Sequence, residues 1–212
     1  VRTDILKSKL LMSNTYENRF VNTLYLDSPD FVNYNENLTG IGKRSKARIR
    51  WYSKTKFGKI TQRTEVFLEI KLRSNIFGTK IIEKINLPPD LLNFSSNKLI
   101  SHIRKELPND YLFYIDHCAT FSLGVSYERE YFEDFSNQLR ITVDSNLIYA
   151  RPNENEIFNC FQLEEYHQEY CILELKYSES ATDNKLSLNF DSLNVTPGRH
   201  SKYTTGLYTI YR

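Results

Sequence analysis

The stretch Lys43–Tyr52, Lys-Arg-Ser-Lys-Ala-Arg-Ile-Arg-Trp-Tyr, constrains this chain more than any other. Read as a strand, it alternates. Arg44, Lys46, Arg48, Arg50 and Tyr52 point one way, and Ser45, Ala47, Ile49 and Trp51 the other. One face is cationic and the opposite face can sit on a core. Like charges in a row on one strand face repel, so they need either water or a polyanion to neutralise them.

Composition says the cations are placed rather than merely abundant. The chain has 28 basic and 26 acidic residues, a net charge of +2 over 212 residues. A single domain, residues 1–212, suits that length, and 15 Tyr and 13 Phe suit pleated, half-buried surfaces. Cys118, Cys160 and Cys171 have no metal-ligand spacing, and their odd number argues against a disulfide framework. They read as buried small residues in a reducing, cytoplasmic setting. No apolar run approaches the ~18 residues of a membrane span, and no signal peptide is visible.

In chain order, Thr3–Leu11 reads as a short capped helix, Phe20–Leu26 as a strand and Asp27–Asp30 as a turn. A short helical piece within 31–42 precedes the basic strand. Glu65–Arg73 alternates, with Val66, Leu68, Ile70 and Leu72 on one face and Glu65, Phe67, Glu69, Lys71 and Arg73 on the other. Lys80–Asn86 follows as a strand, with Lys80, Ile82 and Lys84 on one side. Asp90–Leu107 has helical period through Leu99, Ile100, Ile103 and Leu107, and Pro108 ends it. Phe121–Tyr131 and Gln138–Asp144 form a hairpin, and residues 151–168 read as a polar surface insertion. Tyr170–Lys176 mirrors Glu65–Arg73. A short helix is expected within 178–196, then a loop over Pro197–Lys202.

Several strands thus carry a polar, mostly cationic face backed by an apolar one. In a barrel wrapped by helices the apolar faces pack outward and the charged faces line a lumen. Arg gives bidentate contacts to phosphate oxygens, and Lys acts as a point charge. A few carboxylates make sense there if they hold a divalent metal that bridges phosphates.

Seven segments, in order, resemble the VTC domain, the polyphosphate polymerase branch of the triphosphate-tunnel, or CYTH-like, superfamily. They are Val21-Asn22-Thr23-Leu24-Tyr25-Leu26-Asp27-Ser28-Pro29, Gly42–Tyr52, Phe67-Leu68-Glu69-Ile70-Lys71 and Tyr127-Glu128-Arg129-Glu130-Tyr131. Leu139–Asp144, Ile172-Leu173-Glu174-Leu175-Lys176 and Arg199-His200-Ser201-Lys202-Tyr203 complete the set. The family's opening E-x-K-Y strand has no counterpart, since the chain starts at the first helix.

The resemblance implies an α+β fold, an antiparallel β-barrel tunnel with helices packed outside and its first strand lacking. It implies transfer of the ATP γ-phosphate to a growing inorganic polyphosphate. Arg48, Arg50, Lys71, Arg129 and Lys202 would act on the transferred phosphate. Arg44, Lys84, Tyr127, Arg140, Lys176, Arg199 and Ser201 would bind substrate. Tyr127 has a second reading as a core aromatic. Glu174 would hold Mn²⁺ or Mg²⁺, the alternative being an ion pair with Lys176 or a neighbouring Arg, and Glu69 is a second carboxylate. ATP and polyphosphate are the expected partners, with no nucleic acid, and a membrane complex is compatible with the chain. A tunnel-fold triphosphatase and a non-catalytic polyphosphate or nucleotide-binding module are the competing readings.

Overall fold

The computed structural model describes residues 2–7, 12–88, 95–136, 138–153, 165–177 and 198–212. Nine strands form one sheet. They are β1 (Ser13–Asn14), β2 (Arg19–Asp27), β3 (Lys43–Ser53), β4 (Val66–Ser74), β5 (Phe77–Ile85), β6 (Thr120–Glu133), β7 (Leu139–Ala150), β8 (Glu165–His167) and β9 (Ile172–Tyr177). The order is β5-β4-β3-β2-β6-β7-β8, with β1 on β6 and β9 on β7, and every pair is antiparallel. The helices are α1 (Arg2–Lys7), α2 (Val32–Thr39), α3 (Ser96–Glu106), α4 (Asn109–Leu112) and α5 (Lys202–Ile210). None of them is long and apolar enough to cross a membrane.

The apolar strand faces pack as their alternation dictates. Leu24, Leu26, Ala47, Ile49, Trp51, Val66, Leu68 and Ile70 bury against Leu99, Ile100, Ile103 and Leu107, which recur at helical spacing on α3 and its C-cap. Each such Val, Leu or Ile side chain contributes about 1.5–3 kcal/mol on full burial. Arg104 then ties α3 to the lead-in of β6 through the carbonyls of Asp116 (2.8 Å) and Cys118 (3.2 Å). At the far end of the same face, Ile5 and Met12 pack on Phe132, Leu139, Ile141 and Val143.

Two expectations change. Among the described residues the sheet is open: β5 is one edge, β9 and β8 lie at the other, and no ladder joins them. The alternation of each strand fixes which face is charged but says nothing of whether the two edges meet. Nor do all helices lie outside. On α5, Tyr203, Leu207 and Ile210 pack on Val21, Tyr25, Leu123, Val125, Tyr127 and Tyr149, on the same sheet face as the cations. The central strands β2 and β6 carry apolar residues there, and α5 buries them.

Two smaller differences are local. Strand β7 runs on to Ala150, past the expected end at Asp144, because a bulge opposite Ser126–Glu128 places Asn146 at φ 51°. The extra residue resets the alternation, so Asp144 and Tyr149 share a face. Cys118 is buried, with its thiol pushed up to about 12 by burial and the nearby Asp27, whereas Cys171 is exposed just before β9. The expected helix within 178–196, Cys160 and most of the 151–168 insertion lie outside the described residues.

Gly206 shows how tightly α5 is seated. A Cβ there would stand 2.6 Å from Leu123 Cδ2 and 2.7 Å from the Tyr149 ring. Ala is the better helix former by up to ~1 kcal/mol, but overpacking costs about 1–3 kcal/mol. Gly206→Ala is therefore expected to lower stability, as a fall in the denaturant midpoint. An unchanged or higher midpoint would mean that α5 is loosely held.

Candidate functional site: a cationic sheet face under the start of α5

Cross-strand register turns the separate alternations into one surface. Arg48 stands opposite Glu69, and Lys46 opposite Lys71. Lys71 stands opposite Lys80 on β5. Tyr25 faces Arg48, and Val21 faces Tyr127. Arg129 lies opposite Asp144, Thr142 opposite Glu174, and Arg140 opposite Lys176. Directly opposed residues project to the same side. Arg48, Arg50, Lys71, Arg129, Arg140 and Lys176 therefore share one face, as their sequence alternation predicts.

Two buried carboxylates organise this face. Glu69, 4% exposed, accepts Arg48 Nε at 2.7 Å, Lys80 Nζ at 2.7 Å and Arg50 Nη1 at 3.4 Å. Burial pushes its pKa up, but Arg48, Arg50 and Lys80 outweigh that and hold it at about 2. On the other side, Asp144 is fully buried and takes Arg129 side-on, Nε at 2.5 Å and Nη2 at 2.7 Å, with Lys202 Nζ at 2.6 Å. Burial opposes the charge on Asp144 too, and hydrogen bonds from Arg129 and the charge of Lys202 win, so its pKa is lowered.

Tyr127 lies between the two clusters. It is buried, accepts Arg50 Nη2 at 3.4 Å, and presents its ring to Lys202 Nζ at 4.7 Å and to Arg129 at 5.2 Å. Tyr127 is a core aromatic whose ring and hydroxyl face the cations. Arg50 Nε and the hydroxyl of Thr23, directly across the ladder, are buried with no hydrogen-bond partner among the described residues.

The start of α5 bridges the face. Ser201 caps the helix, its Oγ accepting Thr204 N at 3.3 Å, and the same oxygen accepts Lys46 Nζ at 2.9 Å from β3. The next residue, Lys202, reaches Asp144 on β7. Tyr203 stacks on Tyr25 with ring centroids 4.7 Å apart and donates its hydroxyl to Asp27. Asp27 also accepts the backbone N–H groups of Asn33 (2.9 Å) and Tyr34 (3.0 Å) in the first turn of α2. The Asp-Ser-Pro turn is thus an anchor that locks both helices to β2.

Lys46 is the exception to the pairing. Burial and the like charges of Lys71, Arg44, Arg48 and Arg73 lower its pKa to about 8, and among the described residues it has no carboxylate partner. Lys71 is exposed and likewise has no carboxylate partner among the described residues. Glu174 is intermediate. Its side chain is 42% exposed and its contacts are long, 3.7 Å to Arg129 and 3.5 Å to Lys176. Burial raises its pKa, while Lys176, Arg129 and Lys202 together lower it.

The remaining expected residues lie at the margins. Lys84 pairs with the exposed Glu65 at 2.7 Å, and Arg140 pairs with Glu133, both away from the clusters. Their strands carry them to the ends of the face, and local carboxylates hold them there. Arg44 is turned to the Ile41 carbonyl at 2.6 Å, and Arg199 is exposed. Lys80 and Asp144, which strand alternation alone does not mark as site residues, sit at the centre. Lys80 carried a signal, since it shares a strand face with Ile82 and Lys84. Asp144 carried one only as the last residue of its strand motif. No group of three His, Cys, Asp or Glu among the described residues stands ready to hold a metal.

A cationic sheet face with few carboxylates, set under a helix N-terminus, has the charge and donors that suit a polyanion. Comparison with known families matches the VTC domain over residues 2–211, essentially the whole chain. That match takes in Arg48, Glu69, Arg129, Glu174 and Lys202, and the chain belongs to the VTC domain family, a polyphosphate polymerase-related family.

Proposed function

We propose that the chain is an ATP–polyphosphate phosphotransferase that elongates inorganic polyphosphate along this face. The observation that carries the reading is the excess of cations over carboxylates on one sheet face, with the donors of Arg50 Nε and Thr23 Oγ1 unspent. A buried donor without an acceptor is costly, and phosphate oxygens supply acceptors and charge together. The finer architecture belongs to the same reading: a tunnel closed around the polymer, of which the described sheet is the wall.

Phosphoryl transfer needs two polyanions held in line and their charge neutralised. The terminal polyphosphate oxygen forms a bond to the γ-phosphorus, the bond from that phosphorus to the bridging β,γ-oxygen breaks, and ADP leaves with the electron pair. The attacking oxygen is already ionised, so no base is required. Arg48 and Arg50, set by Glu69, and Arg129 and Lys202, set by Asp144, are preorganised donors. Stabilising the charge of the transition state in this way contributes more to such catalysis than any other single effect.

The donor set decides how a metal fits. Glu69 and Asp144 are spent on cations, and Glu174 alone is half-exposed with long contacts. Such a face builds no all-protein cage, but Glu174 would offer one carboxylate oxygen to a divalent ion carried on nucleotide phosphates. When bound, the ion neutralises phosphate charge. Mn²⁺ and Mg²⁺ both suit oxygen ligands.

The test is incubation of the chain with ATP and Mn²⁺, resolving products by gel electrophoresis and phosphate release. A ladder of polyphosphate that disappears on exopolyphosphatase digestion is expected. Orthophosphate release alone would make the chain a triphosphatase. Tight tripolyphosphate binding without either product would make it a binding module.

A further inference from the structure

The cations of the charged face fall into two kinds. Arg48, Arg50 and Lys80 share the single carboxylate of Glu69, and Arg129 and Lys202 share that of Asp144. Among the described residues Lys46 and Lys71 have no carboxylate partner, and they sit opposite each other in register. A cation that shares a buried carboxylate is held in place as a donor and offers a second anion less net charge than an unpaired one. An unpaired one in a part-buried site is held there at a cost that an incoming anion removes.

We propose that Lys46, with Lys71 beside it and the Ser201 cap above it, is the seat that engages a phosphate group of the polyanion, in addition to the arginines the family motifs mark. The proposal rests on the polyanion reading above and names one place where the chain of phosphates is gripped.

The surroundings of Lys46 support it from each side. On its own strand Arg44 and Arg48 flank it, and β4 presents Lys71 and Arg73. Lys80 follows on β5, opposite Lys71. From β2 come Tyr25 and Asp27, but the Asp27 carboxylate is taken by Tyr203 and by the start of α2. From α5 come Ser201, which accepts the Lys46 ammonium, and the Tyr203 ring at 5.9 Å, while Lys202 turns away to Asp144. The cap places the helix N-terminus beside Lys46, and a helix N-terminus favours negative charge.

The corner also has a proton linkage. Burial among like charges holds Lys46 at about 8. An anion at Lys46 removes that repulsion and returns the ammonium toward its ordinary value. Binding near pH 9 should therefore draw a proton onto Lys46 as the phosphate docks.

The experiment is calorimetric titration of the full chain with inorganic tripolyphosphate, without metal, at pH 7 and at pH 9 in buffers of different ionisation enthalpy. Lys46→Met should weaken binding roughly tenfold or more, the scale of one lost charged hydrogen bond. Lys46→Arg should restore affinity but take up fewer protons at pH 9 than the parent, which cancels any proton contributed by the ligand. Lys105→Met, on the far helix, should change neither. Parent-like affinity in Lys46→Met, or parent-like proton uptake in Lys46→Arg, overturns the seat while leaving the polyanion reading intact. A parent chain that binds no tripolyphosphate overturns both.

Discussion

Glu69→Gln is expected to cause the largest loss of stability of any single change on the charged face. Glu69 is almost fully buried and is the shared counter-charge of Arg48, Arg50 and Lys80. Glutamine keeps the shape and removes the charge, leaving two guanidinium groups and an ammonium facing an amide. Breaking a buried ion pair by removing one partner costs about 3–5 kcal/mol. Domains have about 5–15 kcal/mol in total, so the variant should melt far below the parent or be unfolded at 37 °C. Tripolyphosphate should raise the melting temperature of the variant more than that of the parent, since the added anion replaces the lost charge. Acid gives an independent check. The Glu69 carboxyl is held at about 2 in the fold. Its stabilisation is present above the unfolded value near 4.5 and is lost as pH falls through the folded one. The gap between parent and variant should narrow over that window. A variant that melts within about 2 °C of the parent at pH 7 would show that Glu69 contributes little and that the cations are held by water.

Much of this site was legible in the alternation of single strands. Arg48, Arg50, Lys71, Arg129 and Lys176 could be assigned to polar faces because Ala47, Ile49, Ile70 and Leu175 between them had to be buried. What alternation cannot give is the neighbour across the ladder. Glu69 reads in sequence as a second metal carboxylate, yet register puts it against Arg48, and its oxygens are taken. For the same reason a bare cationic strand suggests that truncating Arg50 relieves repulsion. With Glu69 and Tyr127 as partners, Arg50 is paired in charge although its Nε keeps no acceptor among the described residues, and the cation with no carboxylate among those residues is Lys46. Lys46 escaped notice because lysines on one face look alike until the carboxylates are placed. The role of α5 was hidden as well. Tyr203–Tyr211 has a helical period, but its apolar stripe seats on Val21, Tyr25 and Leu123, on a face whose outer strands are charged. Only the pairing order shows that the middle of that face is apolar.

Glu174→Gln is expected to separate activity from stability more sharply than any other change. The side chain is 42% exposed and its contacts to Arg129 and Lys176 are long, so losing them should cost under about 1 kcal/mol. Its place on the face is another matter. Asp144, one strand away, is saturated by Arg129 and Lys202, which leaves Glu174 the carboxylate that phosphates can recruit. In the free protein, Lys176, Arg129 and Lys202 keep it ionised against its partial burial. Bound phosphates reverse the local field, so Mn²⁺ affinity should be weak alone and strong with ATP. In the glutamine variant the ATP-dependent part of Mn²⁺ affinity should vanish. Metal-dependent transfer should fall on the order of a hundredfold, the scale for one preorganised electrostatic contact. Metal-free tripolyphosphate binding should hold or tighten, because a negative charge has left a face that binds anions. Paired Mn²⁺ and ATP titrations, with synthesis measured alongside, read all three. Full metal-dependent synthesis by the variant would make Glu174 a structural ion pair. Neither Glu69 nor Asp144 would then take its place, since freeing either carboxylate exposes the buried cations that hold the face together.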